Sequence, residues 1–193
     1  MSRPYCRTAL SLPQITTSQR LRLRPLNPDD ADAMWRMDTD PEVMRHLLPN
    51  EFTQDQYRAN FLAELAAGQR FKFIRAIEWL DQRNFLGWVF CRPTEDGLWV
   101  EIGYRLTQQS WGRGVATEAS EALMTVAAKD WRAQHFMGVT VEDNVGSRNV
   151  LQKLGMQHQG KTEDYYDEIL EFFTLENDDH AARRQSVQVE RER

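Results

Sequence analysis

The stretch Glu101-Ile-Gly-Tyr-Arg-Leu-Thr-Gln-Gln-Ser-Trp-Gly-Arg-Gly-Val-Ala-Thr-Glu-Ala119 decides the reading of the chain, because its texture changes halfway. Up to Leu106 it closes a series of strand-like runs at 71–79, 85–91 and 98–106. The turn-rich Asp81-Gln-Arg-Asn84 and Pro93-Thr-Glu-Asp-Gly97 join them, and turns this short make antiparallel neighbours. Beyond the glycines the period becomes helical. Over 117–131, Ala119, Ala122, Leu123, Val126 and Ala127 fall on one face. Working outward, 136–142 reads as a strand. A short helix follows at 147–154, with Val150, Leu151 and Leu154 inward and Gly155 past its end. Two last strands fit 157–161 and 169–175.

Toward the N-terminus, Gln19-Arg-Leu-Arg-Leu-Arg-Pro25 alternates with period two, which predicts a strand with Leu21 and Leu23 inward. Asn27-Pro28-Asp29 starts a helix to about Met37, with Asn27 as cap. A second helix runs over 53–67 and ends at Gly68. The order is β-α-α-β-β-β-α-β-α-β-β. That is an α+β domain with a mixed, mostly antiparallel sheet, since only the late helical crossovers permit parallel pairs. The expected boundaries are an N-terminal extension at 1–16, the domain at 17–175 and a polar, frayed tail at 176–193.

The chain has 193 residues, 41% hydrophobic and 27% charged, which suits one well-buried domain. No run approaches ~18 consecutive apolar residues, so no membrane span is expected. The net charge of -5 argues against nonspecific nucleic-acid binding. Cys6 and Cys91 stand far apart, and the four histidines are scattered, so no metal site is expected. Residues 1–28 hold five Arg and no acid, a transit-like bias that Pro4 and Pro13 interrupt. The expected location is cytoplasmic.

Trp111-Gly-Arg-Gly-Val-Ala116 lies between a strand and a helix. Small residues there let backbone approach a ligand, and unpaired N–H groups of a new helix suit a phosphate or pyrophosphate. A Walker A loop is excluded, because no Gly-Lys-Ser/Thr follows. A dinucleotide fingerprint is excluded by the missing third glycine and by the antiparallel strands before the turn. An ordinary tight turn packed for helix–sheet contact is the competing reading.

Four separated segments resemble the GNAT superfamily of acyl-CoA-dependent N-acetyltransferases, in particular its RimJ/RimL-like subgroup of ribosomal-protein N-terminal acetyltransferases. They are Thr17-Ser-Gln-Arg-Leu-Arg-Leu-Arg-Pro25, Asp40-Pro-Glu-Val-Met-Arg45, Glu101-Ile-Gly-Tyr104 with Trp111 to Ala119, and Asp143-Asn-x-x-Ser147 with Lys153-x-Gly-Met156. The resemblance spans residues 17–175. It implies one GNAT-like domain whose sheet, flanked by helices, opens between its fourth and fifth strands to admit acetyl-CoA as cosubstrate. It further implies that Leu106 pairs its backbone with the pantetheine arm and that Gly112, Arg113, Gly114, Val115, Ala116 and Thr117 cradle the pyrophosphate. The family's usual Gln/Arg at the start of that turn falls on Trp111. Asn144 resembles the residue that bonds the pantetheine amide, and Asn149 and Lys153 are further contacts to the outer CoA. Each has a plainer alternative: a turn charge for Arg113, a turn-former for Asn144, a surface lysine for Lys153.

Amide formation from an amine and a thioester requires loss of an ammonium proton, donors for an oxyanion, and departure of a thiolate. Glu101, on the strand leading to the glycine turn, is the first candidate for the base. Its alternative is an exposed strand glutamate beside a cation. Many superfamily members carry a tyrosine acid two residues before the Lys-x-Gly element, and that position here is Leu151. Ser147 is the alternative on the subgroup's pattern, or else the N-cap of the helix from Arg148. Nothing resembles an activated nucleophile, so direct attack in a ternary complex is expected.

From Glu163 to Asp179 eight acids fall in a segment without Lys or Arg. By the resemblance this connection borders the acceptor. Asp164 and Asp167 are then expected to attract a cationic amine, with Tyr165 and Tyr166 as pocket walls. A solvated loop is the alternative. The expected acceptor is a peptide N-terminal α-amine. A polyamine, amino-sugar or antibiotic amine is the rival, and a noncatalytic acyl-CoA sensor is the rival of another class. The chain is expected to act as a monomer or homodimer.

Overall fold

Leu21 and Leu23 are fully buried in strand β2 (Leu21–Arg24), and burial of each such side chain stabilises the fold by ~1.5–3 kcal/mol. The alternate arginines are partnered instead. Arg22 and Arg24 donate to the buried Glu78 at 2.8 and 2.6 Å, and Arg24 also grips Asp30 at 2.7 Å. A two-residue strand absent from the sequence reading, β1 (Thr16–Thr17), precedes β2 and pairs with it antiparallel. This computed structural model describes residues 10–176. Residues 1–9 of the expected extension, and the expected tail from 177 on, lie outside the described residues.

The strands that follow are β3 (Ile74–Trp79), β4 (Phe85–Pro93), β5 (Val100–Leu106), β6 (His135–Thr140), β7 (Gln157–Thr162) and β8 (Leu170–Glu176). With β1 and β2 they form one open mixed sheet in the order β1-β2-β3-β4-β5-β6-β8-β7. Pairs β2–β3, β3–β4, β6–β8 and β7–β8 are antiparallel. β5 and β6, the fourth and fifth strands of the sequence reading, form the parallel pair. Their ladder holds Val100 opposite Phe136 and Glu101 opposite Met137. The strand β7 stands at one end of the order. It is mostly exposed, and a bulge between His158 and Gly160 bends it.

The described chain divides into two compact units. The first comprises Ser11–Cys91 and Gly103–Leu123. Its helices are α1 (Ala31–Asp38) and α2 (Gln54–Ala67), over a core of Leu26, Met34, Met37, Phe61 and Ala76. Asn27 caps the short 3-10 turn that leads into α1, in a capping box with Asp30. Thr53 and Gln56 form a second capping box, and Gly68 closes α2 at φ 70°. Ahead of β1, Leu12 is buried, and the Arg75 guanidinium holds the carbonyls of Leu12 and Pro13 at 2.8 and 3.0 Å. Those residues of the expected extension are packed.

The second unit comprises residues 92–102 and 124–176 with Leu10. It carries β6, β7, β8 and α4 (Val145–Lys153), whose Leu151 lies on Gly138 of β6. A side chain at Gly138 would overlap Leu151. The helix α3 (Val115–Asp130) runs from one unit into the other. Its buried residues are Val115, Ala116, Ala119, Ser120, Leu123, Met124 and Ala127, whereas Ala122 and Val126 are half-buried. The apolar face is thus rotated from the expected one, because Ala116, Ser120 and Met124 extend it on the other side.

Candidate active site

In the first unit, β5 ends at Leu106 and the chain turns twice before α3. Thr107 N–H bonds the Leu86 carbonyl at 2.9 Å, and the 3-10 turn Gln108–Ser110 follows. The Trp111 indole N–H donates back to the Leu106 carbonyl at 3.1 Å. The Leu106 backbone, expected to pair with the pantetheine arm, thus has its carbonyl accepting from Trp111, and the Leu106 side chain is buried. Gly112 and Gly114 adopt φ 69° and 76°, a region that L side chains enter at a cost of ~1–2 kcal/mol.

The first i→i−4 bond of α3 runs from Glu118 N–H to the Gly114 carbonyl at 3.0 Å. Amides of Val115, Ala116 and Thr117 precede it and have no intrahelical acceptor. Their positive end suits an anion. A Cβ built at Gly112 meets nothing within 4 Å, so the backbone there is open to a ligand. Val115 and Ala116 are buried and anchor the helix start.

Two guanidinium groups flank this turn. Arg113 lies 4.7 Å from the centroid of the Trp79 ring and Arg20 lies 5.6 Å from it. Arg20 also donates to the Arg113 carbonyl at 3.1 Å and to the Glu118 carboxylate. Arg113 is exposed, and its guanidinium lies over the indole face. Burial pushes the Glu118 carboxyl up, but hydrogen bonds from Ser18 and Arg20 outweigh that and hold it below the usual glutamate range.

In the second unit, Glu101 is 6% exposed. The exposed-glutamate alternative is thereby overturned, although the cation beside it is real. Arg92 bonds Oε2 through Nε at 3.0 Å and Nη2 at 2.9 Å. The Tyr166 hydroxyl donates to Oε1 at 2.5 Å, and Arg92 Nη2 donates to that same hydroxyl at 3.0 Å. Burial and the neighbouring carboxylate push the Tyr166 phenol up to about 12. Burial works against the Arg92 charge, but Glu101 and Tyr166 outweigh it and hold its pKa above the ordinary value.

The sequence reading missed Tyr166 as a partner of Glu101. It sits in an irregular loop where no periodicity assigns a direction. Tyr165 stacks instead on Phe172, centroids 5.8 Å apart. Asp164 is exposed and closes a local turn with Thr162 at 3.0 and 3.1 Å, and Asp167 is exposed.

Asn144, not Ser147, caps α4. Its side-chain oxygen accepts the Ser147 N–H at 3.0 Å, and the helix begins at Val145, three residues before the expected start at Arg148. Ser147 thus stands inside the first turn. Asn149 and Lys153 are exposed on the same helix. Leu151, standing where the superfamily's tyrosine falls, is buried. Cys91 is also fully buried, and burial pushes its thiol well above the ordinary value, which removes it as a nucleophile. No helix among the described residues is long and apolar enough to cross a membrane.

The glycine turn, with amides at the start of α3 that lack intrahelical acceptors, suits an anionic ligand. The family model described as an acetyltransferase (GNAT) domain matches residues 20–157, and the chain belongs to that family. A Bacillus licheniformis protein named uncharacterized N-acetyltransferase p20 is 27% identical over 152 residues, covering 77% of this chain and 85% of its own length. An FsC-acetyl coenzyme A-N(2)-transacetylase of Aspergillus fumigatus is 25% identical over 148 residues, 72% of this chain and 63% of that one. Among solved structures, RimL, a ribosomal L7/L12 α-N-protein acetyltransferase in complex with coenzyme A, shares the fold. Its TM-score is 0.66 at 18% identity, over 84% of this chain and 97% of that one.

Proposed function

We propose that the chain transfers the acetyl group of acetyl-CoA to a primary amine, a protein or peptide N-terminal α-amine first, by direct attack in a ternary complex. The observation that carries this reading is the glycine turn, where the amides of residues 115–117 lack intrahelical acceptors and nothing crowds Gly112. On this reading the backbone from Gly112 to Thr117, with Arg113 and Trp111, holds the pyrophosphate. Leu106 and Asn144 serve the pantetheine arm, and Asn149 and Lys153 the outer CoA. When bound, acetyl-CoA supplies a thioester, an acyl group already activated toward amines.

Glu101 is the carboxylate that receives the ammonium proton, and the Ser147 hydroxyl protonates the departing thiolate. Asp164, Asp167 and Tyr165 meet the acceptor. The RimL likeness supports a peptide acceptor. The named N(2)-transacetylase activity of the Aspergillus relative supports a small amine as the second reading. The protein acts in the cytoplasm as a monomer or homodimer.

The test is acetyl-CoA consumption against short peptides with varied N-termini, polyamines, amino sugars and free amino acids, with products identified by intact mass. Acetylated peptide α-amine is expected. Product from small amines alone moves the chain to the second reading. Thermal stabilisation by acetyl-CoA, ~2.7 kcal/mol at 100 Kd, without product across the panel identifies a sensor. Glu101→Gln and Ser147→Ala are expected to lose turnover while CoA affinity survives.

A further inference from the structure

We propose that Tyr166 is a catalytic residue whose hydroxyl takes the ammonium proton of the acceptor while handing its own proton to Glu101. This deepens the acetyl-transfer reading and rests on it. The Glu101 side chain is 7% exposed, and both its oxygens are covered, Oε2 by Arg92 and Oε1 by the Tyr166 hydroxyl. An amine approaching the carboxylate meets one of these two groups first. Both reach solvent, the Arg92 side chain at 38% and Tyr166 at 38% exposure. A guanidinium has five N–H donors and no acceptor, so it cannot take a proton. Of the two, the phenol oxygen alone has a lone pair to offer.

That oxygen is also correctly loaded. A phenol donates once and accepts twice. Its donation is spent on Glu101 Oε1 at 2.5 Å, and one lone pair takes Arg92 Nη2 at 3.0 Å. The other lone pair receives the ammonium N–H. As that N–H bond breaks toward the tyrosine oxygen, the tyrosine O–H bond breaks toward Glu101. Tyr166 is left a neutral phenol and Glu101 a carboxylic acid. The freed amine lone pair forms the C–N bond at the thioester carbonyl, and the C–S bond breaks as the thiolate leaves. Ser147 gives its proton to the thiolate and takes the second nitrogen proton in its place, and Glu101 returns its proton to water. At neutral pH the phenol remains protonated, so it passes protons on without persisting as a phenolate.

The experiment compares wild type, Tyr166→Phe, Glu101→Gln and the double variant with acetyl-CoA and the panel amine that wild type acetylates fastest. The expected result is a kcat loss of about 100-fold for Tyr166→Phe at unchanged KM for acetyl-CoA. The double variant is expected to be no slower than Glu101→Gln alone, because the two residues act as one unit. Direct proton abstraction by Glu101 gives the opposite sign. Loss of the phenol then removes a hydrogen bond from the carboxylate and makes it more basic, so kcat holds or rises. That outcome, or additive losses, overturns the inference. A rise in acceptor KM alone assigns Tyr166 to the pocket wall and overturns it as well. In mixtures of H2O and D2O the wild-type rate is expected to curve with deuterium fraction, two protons being in flight, and a straight line overturns the relay without any variant. A wild-type chain that acetylates no panel amine overturns the acetyl-transfer reading itself, and the inference with it.

Discussion

Arg20 holds Glu118 twice across 98 positions of sequence: its backbone N–H donates to one carboxylate oxygen at 2.8 Å and its guanidinium Nε to the other at 2.7 Å. The same guanidinium reaches the Arg113 carbonyl, so one side chain ties the first turn of α3 to the glycine turn before it. Arg20→Ala is expected to weaken CoA by about tenfold, the worth of one hydrogen bond to a charged group. Pantetheine, which lacks the pyrophosphate, is expected to bind equally to both proteins. Calorimetric titration of the two ligands checks this, and equal losses for both would assign Arg20 to general stability.

The same carboxylate sets an acid limit. Glu118 is held below its ordinary value near 4.5 by Ser18 and Arg20 against burial. Its contribution to stability is full above that ordinary value and is lost as pH falls through the lowered folded value. Glu118→Gln is therefore expected to destabilise the protein at pH 7 and to converge with wild type in strongly acidic buffer. Urea unfolding at pH 7, 4 and 3 reads the difference.

Gly87 and Gly114 separate two costs of a methyl group. Both have positive φ, 140° and 76°. At Gly114 the nearest atom to an added Cβ is the flexible end of Arg20 at 3.4 Å. At Gly87 a Cβ overlaps the Arg105 carbonyl oxygen and the Leu106 Cα, which are backbone. Gly114→Ala is expected to cost about 1–2 kcal/mol. Gly87→Ala is expected to cost ~3 kcal/mol or more, because overpacking adds to strain. Thermal unfolding midpoints rank them, and the reverse order would refute the account.

Glu78 is a buried carboxylate between Arg22 and Arg24, whose side chains are 25% and 14% exposed. Removing it leaves both guanidinium groups without that partner, although Arg24 retains Asp30. Glu78→Ala is expected to lose ~3–5 kcal/mol, as for one broken partner of a buried pair. The Arg22→Leu, Glu78→Leu double variant is expected to recover part of it. Denaturant midpoints check both.

Charge reversal of the exposed Asp164 and Asp167 to Lys is expected to raise the KM of a cationic acceptor by a few-fold, in keeping with ~1 kcal/mol or less per exposed pair. KM for acetyl-CoA is expected to stay. The effect is expected to shrink in 0.5 M salt, where exposed charges are screened. Steady-state kinetics at two salt concentrations decide it, and an unchanged acceptor KM would assign the loop to solvent.

Much of the fold was legible because its signals are local. Asn27, Thr53 with Gln56, and Gly68 announce helix ends through bonds that close within four residues. The Leu21/Leu23 alternation announces β2 by period. A two-residue strand such as β1 has no period to read, and it forms only because β2 offers a free edge. β5 illustrates the harder case. Its Val100, Glu101 and Ile102 are all buried in succession, so no alternation tells which way Glu101 points. The cofactor turn was readable from its glycines. The partnership of Glu101 with Tyr166, 65 residues apart, depends on where an irregular loop comes to rest.

The end strand β7 carries a consequence for the protein in a crowded solution. Its bulge between His158 and Gly160 breaks the regular row of backbone groups that a neighbouring molecule needs for strand addition, and the Lys161–Glu142 ion pair lies beside the break. Two copies meeting along this edge meet a bent template. The polar, kinked β7 is thus a poor template for strand addition on its side of the sheet.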